Sequence, residues 1–169
     1  QLDTRWSTKT DKLYFRTPGE FWDWVEGHTR KGWVIWLVAH NWNYDACVLA
    51  TDSEMHQRGW VIAQRGGYIN GKPPLIVRWQ KEGKAIRMID SLNYFSSSLQ
   101  ALGDATGLAK LEMPDMSIQT EDVEPDAKWV EYCWRDVEIV KDAVLMFRDF
   151  VLENDLGTLQ NTLASQSMT

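Results

Sequence analysis

The sequence is sparing with the residues that staple or anchor a chain. Cysteine occurs only twice, at Cys47 and Cys133, and no C-x-x-C or comparable ligand spacing is present, which excludes a cysteine-ligated metal module. Both cysteines fall in expected helices and read as buried free thiols. With no signal-peptide pattern, this favours a reducing, cytoplasmic compartment. The three histidines, His28, His40 and His56, do not cluster at metal-ligand spacing. No apolar run reaches the roughly 18 residues a membrane-spanning helix needs. There is no basic excess either. A net charge of −6 argues against a large basic nucleic-acid surface, though not a small one, and an acidic balance suits a site that holds divalent cations.

What is present fits one domain of 169 residues, 44% hydrophobic, enough for a sizeable core. Ten tryptophans are unusual. Trp22, Trp24, Trp33, Trp36 and Trp129 sit in apolar runs and read as core or cleft walls. Trp42 has the strongest case for stacking on a base.

Periodicity then orders the chain. Lys12–Thr17 alternates as a strand does. Thr17-Pro18-Gly19-Glu20 reads as an N-cap with a capping box, opening a helix that ends near residue 30. Residues 32–40, "GWVIWLVAH", form an unbroken apolar run, as expected of a buried strand. Tyr44 to Arg58 reads as one helix stopped by Gly59. A strand at 60–64 and a hairpin of 75–80 with 84–90 follow. A helix over 97–107, a loop over 110–125 holding the acidic Glu121–Glu124, and a long helix over 126–153 complete the domain, with Trp129, Val130, Cys133, Val137, Val140, Val144 and Phe147 as its apolar stripe. Residues 154–169 read as a C-terminal linker. The order implies an α/β fold with a mixed sheet. Ligands in such folds sit at the carboxyl ends of central strands, where Asn41, Asn43, Tyr44 and Asp45 lie.

Asp45 is in the first turn of its helix. Asp136 and Tyr132, four residues apart, share one face of the long helix within a largely apolar stripe, where a carboxylate and a phenol need partners. Taken alone, either acid reads as a solvated or dipole-favoured helix residue. Together, at these places in the order of elements, they read as a site. Asp90 ends a strand and is either a further acid of the cleft or the cap of the Asn93–Ser98 turn. Arg135 reads as a phosphate contact or a surface ion pair.

The segments "HNWNYD" and "YCWRD" resemble the second and third exonuclease motifs of family B DNA polymerases, the DEDDy 3′–5′ proofreading exonucleases, and most resemble the protein-primed, organellar and viral branch. "MIDSLNYFSSSLQALG", Lys110 with Met113, and "NDLGTLQNTLASQSMT" add to the likeness, which covers about residues 12–165. The resemblance implies a ribonuclease-H-like mixed β-sheet flanked by helices. It implies a two-metal site for Mg2+ or Mn2+ that cuts single-stranded DNA or RNA from the 3′ end. Asp45 and Asp136 then match metal ligands, Tyr132 the residue that orients water, and Lys110 a cation facing phosphate charge. Asn41 and Tyr44 match contacts to the terminal nucleotides, and Ser98 and Leu99 contacts to the single strand.

The family's first motif, Asp-x-Glu on the first strand, is not found. The nearest text is Asp3-Thr4-Arg5, with a cation where the second acid belongs. The expected sheet therefore lacks its first strand, and two of the four acidic ligands are missing. Three readings stay open: an exonuclease domain whose first strand lies elsewhere, with a polymerase domain as the companion the resemblance implies; an inactive module that binds nucleic acid; and an assembly subunit whose open sheet edge takes a strand from another chain.

Overall fold

A computed structural model describes residues 11–66, 75–115 and 126–168. Asp3, Arg5, the Asn70–Pro74 turn and Glu121–Glu124 lie outside them. Helix α1 (Pro18–His28) begins where the Thr17 hydroxyl accepts the Glu20 N–H at 3.2 Å. The return half of the expected capping box falls one residue earlier, since the Glu20 carboxylate accepts the Arg16 N–H at 2.9 Å. Residues 12–17 are not a strand. Alternation supplies only one half of a strand; the other is a neighbour to bond, and this stretch pairs with none of the described strands.

The apolar run becomes β1 (Val34–Ala39), followed by α2 (Trp42–Val48) and α3 (Thr51–Gln57). The single helix expected over 44–58 is thus two. The chain breaks at Leu49 and Ala50, and Ala50 takes a left-handed φ of 45°. Strands β2 (Val61–Gly66), β3 (Ile76–Lys81) and β4 (Lys84–Asp90) follow. The turn between β3 and β4 is two residues, Glu82 and Gly83, with φ of 50° and 78°. Two positive φ values give the turn whose twist matches a hairpin. Then come α4 (Leu99–Thr106), α5 (Ala127–Glu153) and the short α6 (Leu163–Gln166).

The four strands form one mixed sheet in the order β1-β4-β3-β2. β1 and β4 are parallel, from Val34 opposite Ala85 to Ala39 opposite Asp90. β4 with β3, and β3 with β2, are antiparallel. Among the described residues β1 has a partner on one edge only.

Both faces carry helices. On one, Ile35, Leu37 and Ala39 of β1 join Ile86, Met88, Val77 and Trp79 beneath Trp22 and Val25 of α1, Trp42 of α2 and Met55 of α3. On the other side a smaller cluster forms from Leu102 of α4 with Ile139 and Ala143 of α5. The buried stripe of α5 is Ile139, Val140, Ala143 and Val151, rotated from the expected one; Val137 is 65% exposed. Trp33 and Trp24 are exposed, and both cysteines are exposed rather than buried. Apolar residue type places a stripe only to within a turn, and the neighbours actually present decide the rest. Beyond α5 the chain docks back on the sheet. The Tyr94 hydroxyl donates to the Gln160 carbonyl at 2.7 Å, Arg87 to the Asn161 side chain at 3.1 Å, and Asn93 to the Asn161 carbonyl at 3.2 Å. No helix among the described residues is long and apolar enough to cross a membrane.

Candidate functional site

The adjacent carboxyl ends of β1 and β4 are held by one side chain. Asp90, 1% exposed, accepts from the Asn41 N–H at 3.0 Å, the Trp42 N–H at 2.9 Å and the Leu92 N–H at 2.9 Å. The first N–H groups of a helix have no partner within it. Asn41 stands at the N-cap of α2 but has a left-handed φ of 66° and makes no cap bond with its side chain. Asp90, arriving from the neighbouring strand, serves both α2 and the turn Ser91–Asn93. The sequence points to a cap of the Asn93–Ser98 turn, and the turn that Asp90 does cap is the one just before it; the bond to α2 spans almost fifty residues, and no local pattern announces it. His40 completes the corner by a 2.8 Å hydrogen bond between its Nδ1 and the Ser91 hydroxyl. Burial holds the His40 pKa down, against the opposing pull of Asp90 and Asp136.

Asp45 lies one turn into α2. Its pKa is raised, first by burial, with the negative charge of Asp90 adding to it and a backbone N–H opposing it. Asn41 and Tyr44 are on the solvent side, Tyr44 being 70% exposed. An exposed phenol at a helix start is free to meet a flat ring.

The second half of the site rises from α5. Lys110 Nζ donates to the Tyr132 hydroxyl at 2.7 Å and to both oxygens of Asp136 at 2.9 Å each. Tyr132 and Asp136 are one helical turn apart and so point together. Burial lowers the Lys110 pKa, but the bonds to Tyr132 and Asp136 outweigh it and leave it raised. The segment carrying Lys110 is fixed from two sides. Arg135 donates to the Ala109 carbonyl at 2.8 Å, a third role beside the two expected of it. Gly103 of α4 lies so close that a Cβ there would stand 2.5 Å from the Leu108 carbonyl oxygen and 3.3 Å from the Lys110 N–H nitrogen.

Of the residues singled out in sequence, Lys110, Tyr132 and Asp136 are brought into direct contact. Asp45 stands with Asn41 and Tyr44 at the start of α2, within electrostatic reach of Asp90. Ser98 and Leu99 have structural partners: the Ser98 hydroxyl caps α4 through the Ala101 N–H at 3.2 Å, and Leu99 packs on the second cluster. Trp42, 4% exposed, belongs to the core. His28 and His56 bond backbone carbonyls of their own helices.

The described residues do not fit a two-ion set. Among them no three histidine, cysteine, aspartate or glutamate side chains converge as metal ligands. Both Asp136 oxygens meet Lys110, and Asp90 is committed to backbone N–H groups. Divalent ions of this kind take six or more oxygens, several from carboxylates. Comparison with protein-family models, curated proteins and solved structures finds no match for this chain.

Proposed function

We propose that the chain is a domain of the DEDDy 3′–5′ exonuclease type with a ribonuclease-H-like sheet. It takes the 3′ end of a single-stranded nucleic acid at the ends of β1 and β4. Cutting requires carboxylates beyond those the described residues contribute. The observation that carries this reading is the Lys110–Tyr132–Asp136 cluster. A cation, a phenol and a carboxylate from segments more than twenty residues apart meet at one point, as the resemblance implies. The mixed sheet supports it further, with Asp45 directly after β1 and β4 running parallel beside that strand.

In this reading Tyr44 and Asn41 hold the terminal nucleotide by stacking and hydrogen bonding. Lys110 supplies positive charge toward a phosphate, and Tyr132 holds a water or hydroxyl by its phenol. The ions of such a site are Mg2+ or Mn2+. The edge of β1 that has no partner among the described residues is where a further extended segment, from this protein or another chain, would join by strand addition and bring the missing acids. A polymerase domain is the companion the resemblance implies.

The test is incubation with 5′-labelled single-stranded DNA and RNA in Mg2+ or Mn2+, beside the Asp45→Ala and Asp136→Ala variants. A ladder shortening from the 3′ end, abolished by both substitutions, is the expected result. An intact substrate with folded protein would refute cutting by this chain. It would favour a second reading, a module that binds without cutting, which the Lys110 bonds to both Asp136 oxygens already support. Its signature is affinity for single strands that falls with salt.

A further inference from the structure

The sheet face turned away from Trp22 and Trp42 carries a row of side chains that the candidate site does not use. Successive residues of a strand alternate in direction, so Trp36, Arg87 and Arg78 point away from their core neighbours Leu37, Ile86 and Val77. Register sets them abreast. Trp36 lies opposite Arg87, Arg87 opposite Arg78, and Arg78 opposite Gln64.

Like charges directly opposite each other in a ladder are destabilising. The chain has 24 acids against 18 bases, so no shortage of carboxylates imposes this pair. Arg58, Arg135 and Arg148 each meet a carboxylate, whereas among the described residues Arg78 and Arg87 meet none. Burial lowers the Arg87 pKa, and Arg78 lowers it further.

The partners that fix the two arginines are neutral. The Arg87 guanidinium stands 4.9 Å from the centre of the Trp36 ring and donates from Nη1 to the Asn161 side chain at 3.1 Å. The Gln80 amide oxygen, turned toward Arg78, accepts from its Nη2 and Nε at 3.2 and 3.3 Å. The Tyr94 phenol near Arg87 is pushed up to about 12 by burial and is uncharged at neutral pH. These contacts hold both forks without neutralising either charge. Arg87 Nη2 and Arg78 Nη1 keep no partner among the described residues, and both side chains are only half-buried.

We propose that Arg78 and Arg87 together bind a phosphate monoester group, at a site separate from the one at the strand ends. Arg87 is three residues, roughly 10 Å, before Asp90 along β4. A guanidinium fork meets the oxygens of an anion in pairs. A carboxylate brings one charge and two oxygens. A phosphate monoester brings nearly two charges and three oxygens, which matches two adjacent forks. Such a group occurs free, on a small molecule, or at the 5′ end of a nucleic-acid strand. The proposal does not rest on the exonuclease reading.

The test follows the side-chain Nε–H signals of the ¹⁵N-arginine-labelled chain during titration with inorganic phosphate, and with acetate at matched ionic strength. Arg78→Gln and Arg87→Gln assign the two signals. If Arg87→Gln fails to fold, Arg78→Gln and Arg78→Lys carry the test. Phosphate should move both signals saturably and bind about tenfold more tightly than acetate, and Arg78→Gln should weaken phosphate about tenfold, as loss of one charged hydrogen bond does. Arg78→Lys, which keeps the charge and loses the fork, should weaken it as well. A 5′-phosphorylated oligothymidylate and its 5′-hydroxyl form identify the source. A phosphorylated strand that binds more tightly than both its twin and inorganic phosphate assigns the site to a strand end; a phosphorylated strand no tighter than inorganic phosphate assigns it to a small phosphate. Equal affinities for phosphate and acetate would overturn the proposal, and so would a phosphate affinity that both Arg78 variants leave unchanged.

Discussion

At the scale of single residues, Asp90 and Asp45 are two acids in different settings at one corner of the sheet. Asp90 accepts three backbone N–H groups in a site closed to water. Hydrogen bonds to a charged group are each worth about 1.5–3 kcal/mol, and orphaned buried donors cost a similar amount. Asp90→Ala should therefore lower stability by about 3 kcal/mol or more, and Asp90→Asn, which turns one acceptor into a donor facing N–H groups, by about 2 kcal/mol. Urea unfolding measures both, and a loss within error of zero would mean the N–H groups find other partners. Asp45 is the second acid of this corner. Its folded pKa stands above the ordinary carboxylate value, because burial and Asp90 disfavour its charge. The folded state thus holds this proton more tightly than the unfolded state does. Stability falls as pH climbs through the window from the ordinary value to the raised one, and the loss is constant above it. Asp45→Asn should be more stable than the parent at pH 7, with the two urea midpoints converging as the pH drops toward about 4. A variant less stable at pH 7 would show the carboxylate to be stabilised in a way its burial does not suggest. A residue retained at a cost to stability is what a functional site leads one to expect.

At the scale of elements, spacing and context part company. Strand β4 was legible to the residue, since an apolar run after a Glu-Gly turn leaves little freedom. That Tyr132 and Asp136 face the same way, toward Lys110, was legible too, because four residues in a helix fix a direction. Three things were not. Residues 12–17 alternate but pair with none of the described strands. The helix expected over 44–58 breaks at Ala50, where nothing in the residue type signals a positive φ. The stripe of α5 is set by α4, which sequence alone could not place beside it. Two predictions follow from these elements. A left-handed alanine costs about 1–2 kcal/mol over glycine, so Ala50→Gly should stabilise the chain by about 0.5–1 kcal/mol once the unfolded-state entropy of glycine is counted. Gly103→Ala should do the opposite despite alanine's helix propensity. Its Cβ would meet the Leu108 carbonyl oxygen at 2.5 Å and Ile139 at 3.1 Å, an overpacking that costs about 1–3 kcal/mol. The same clash pushes on residues 108–110, so single-strand binding should weaken with it. A Gly103→Ala variant as stable as the parent, with binding unchanged, would remove α4 from the devices that place Lys110.

At the scale of the molecule, the feature that stands out is the edge of β1. Central, apolar strands are usually covered on both edges, yet among the described residues β1 pairs only with β4. Beside its start Trp33 is 58% exposed and Val34 37%, and on α5, next to Asp136, Val137 is 65% exposed. An apolar strand with an unpaired edge is a template for another chain. Two consequences run together: a strand added there would carry the further acids that the proposed exonuclease reading calls for, and without one the edge finds other copies. The chain should therefore self-associate as its concentration rises. Trp33→Lys places a charge at the head of that edge while leaving the backbone bonds of Trp33, to Arg30 and Ala85, intact. It should cut the association at least severalfold in sedimentation velocity and change unfolding stability by no more than about 0.5 kcal/mol, as surface changes usually do. Unchanged association would move the contact away from β1. An added strand would then have to reach Asp45 and Asp136 by some route other than this edge.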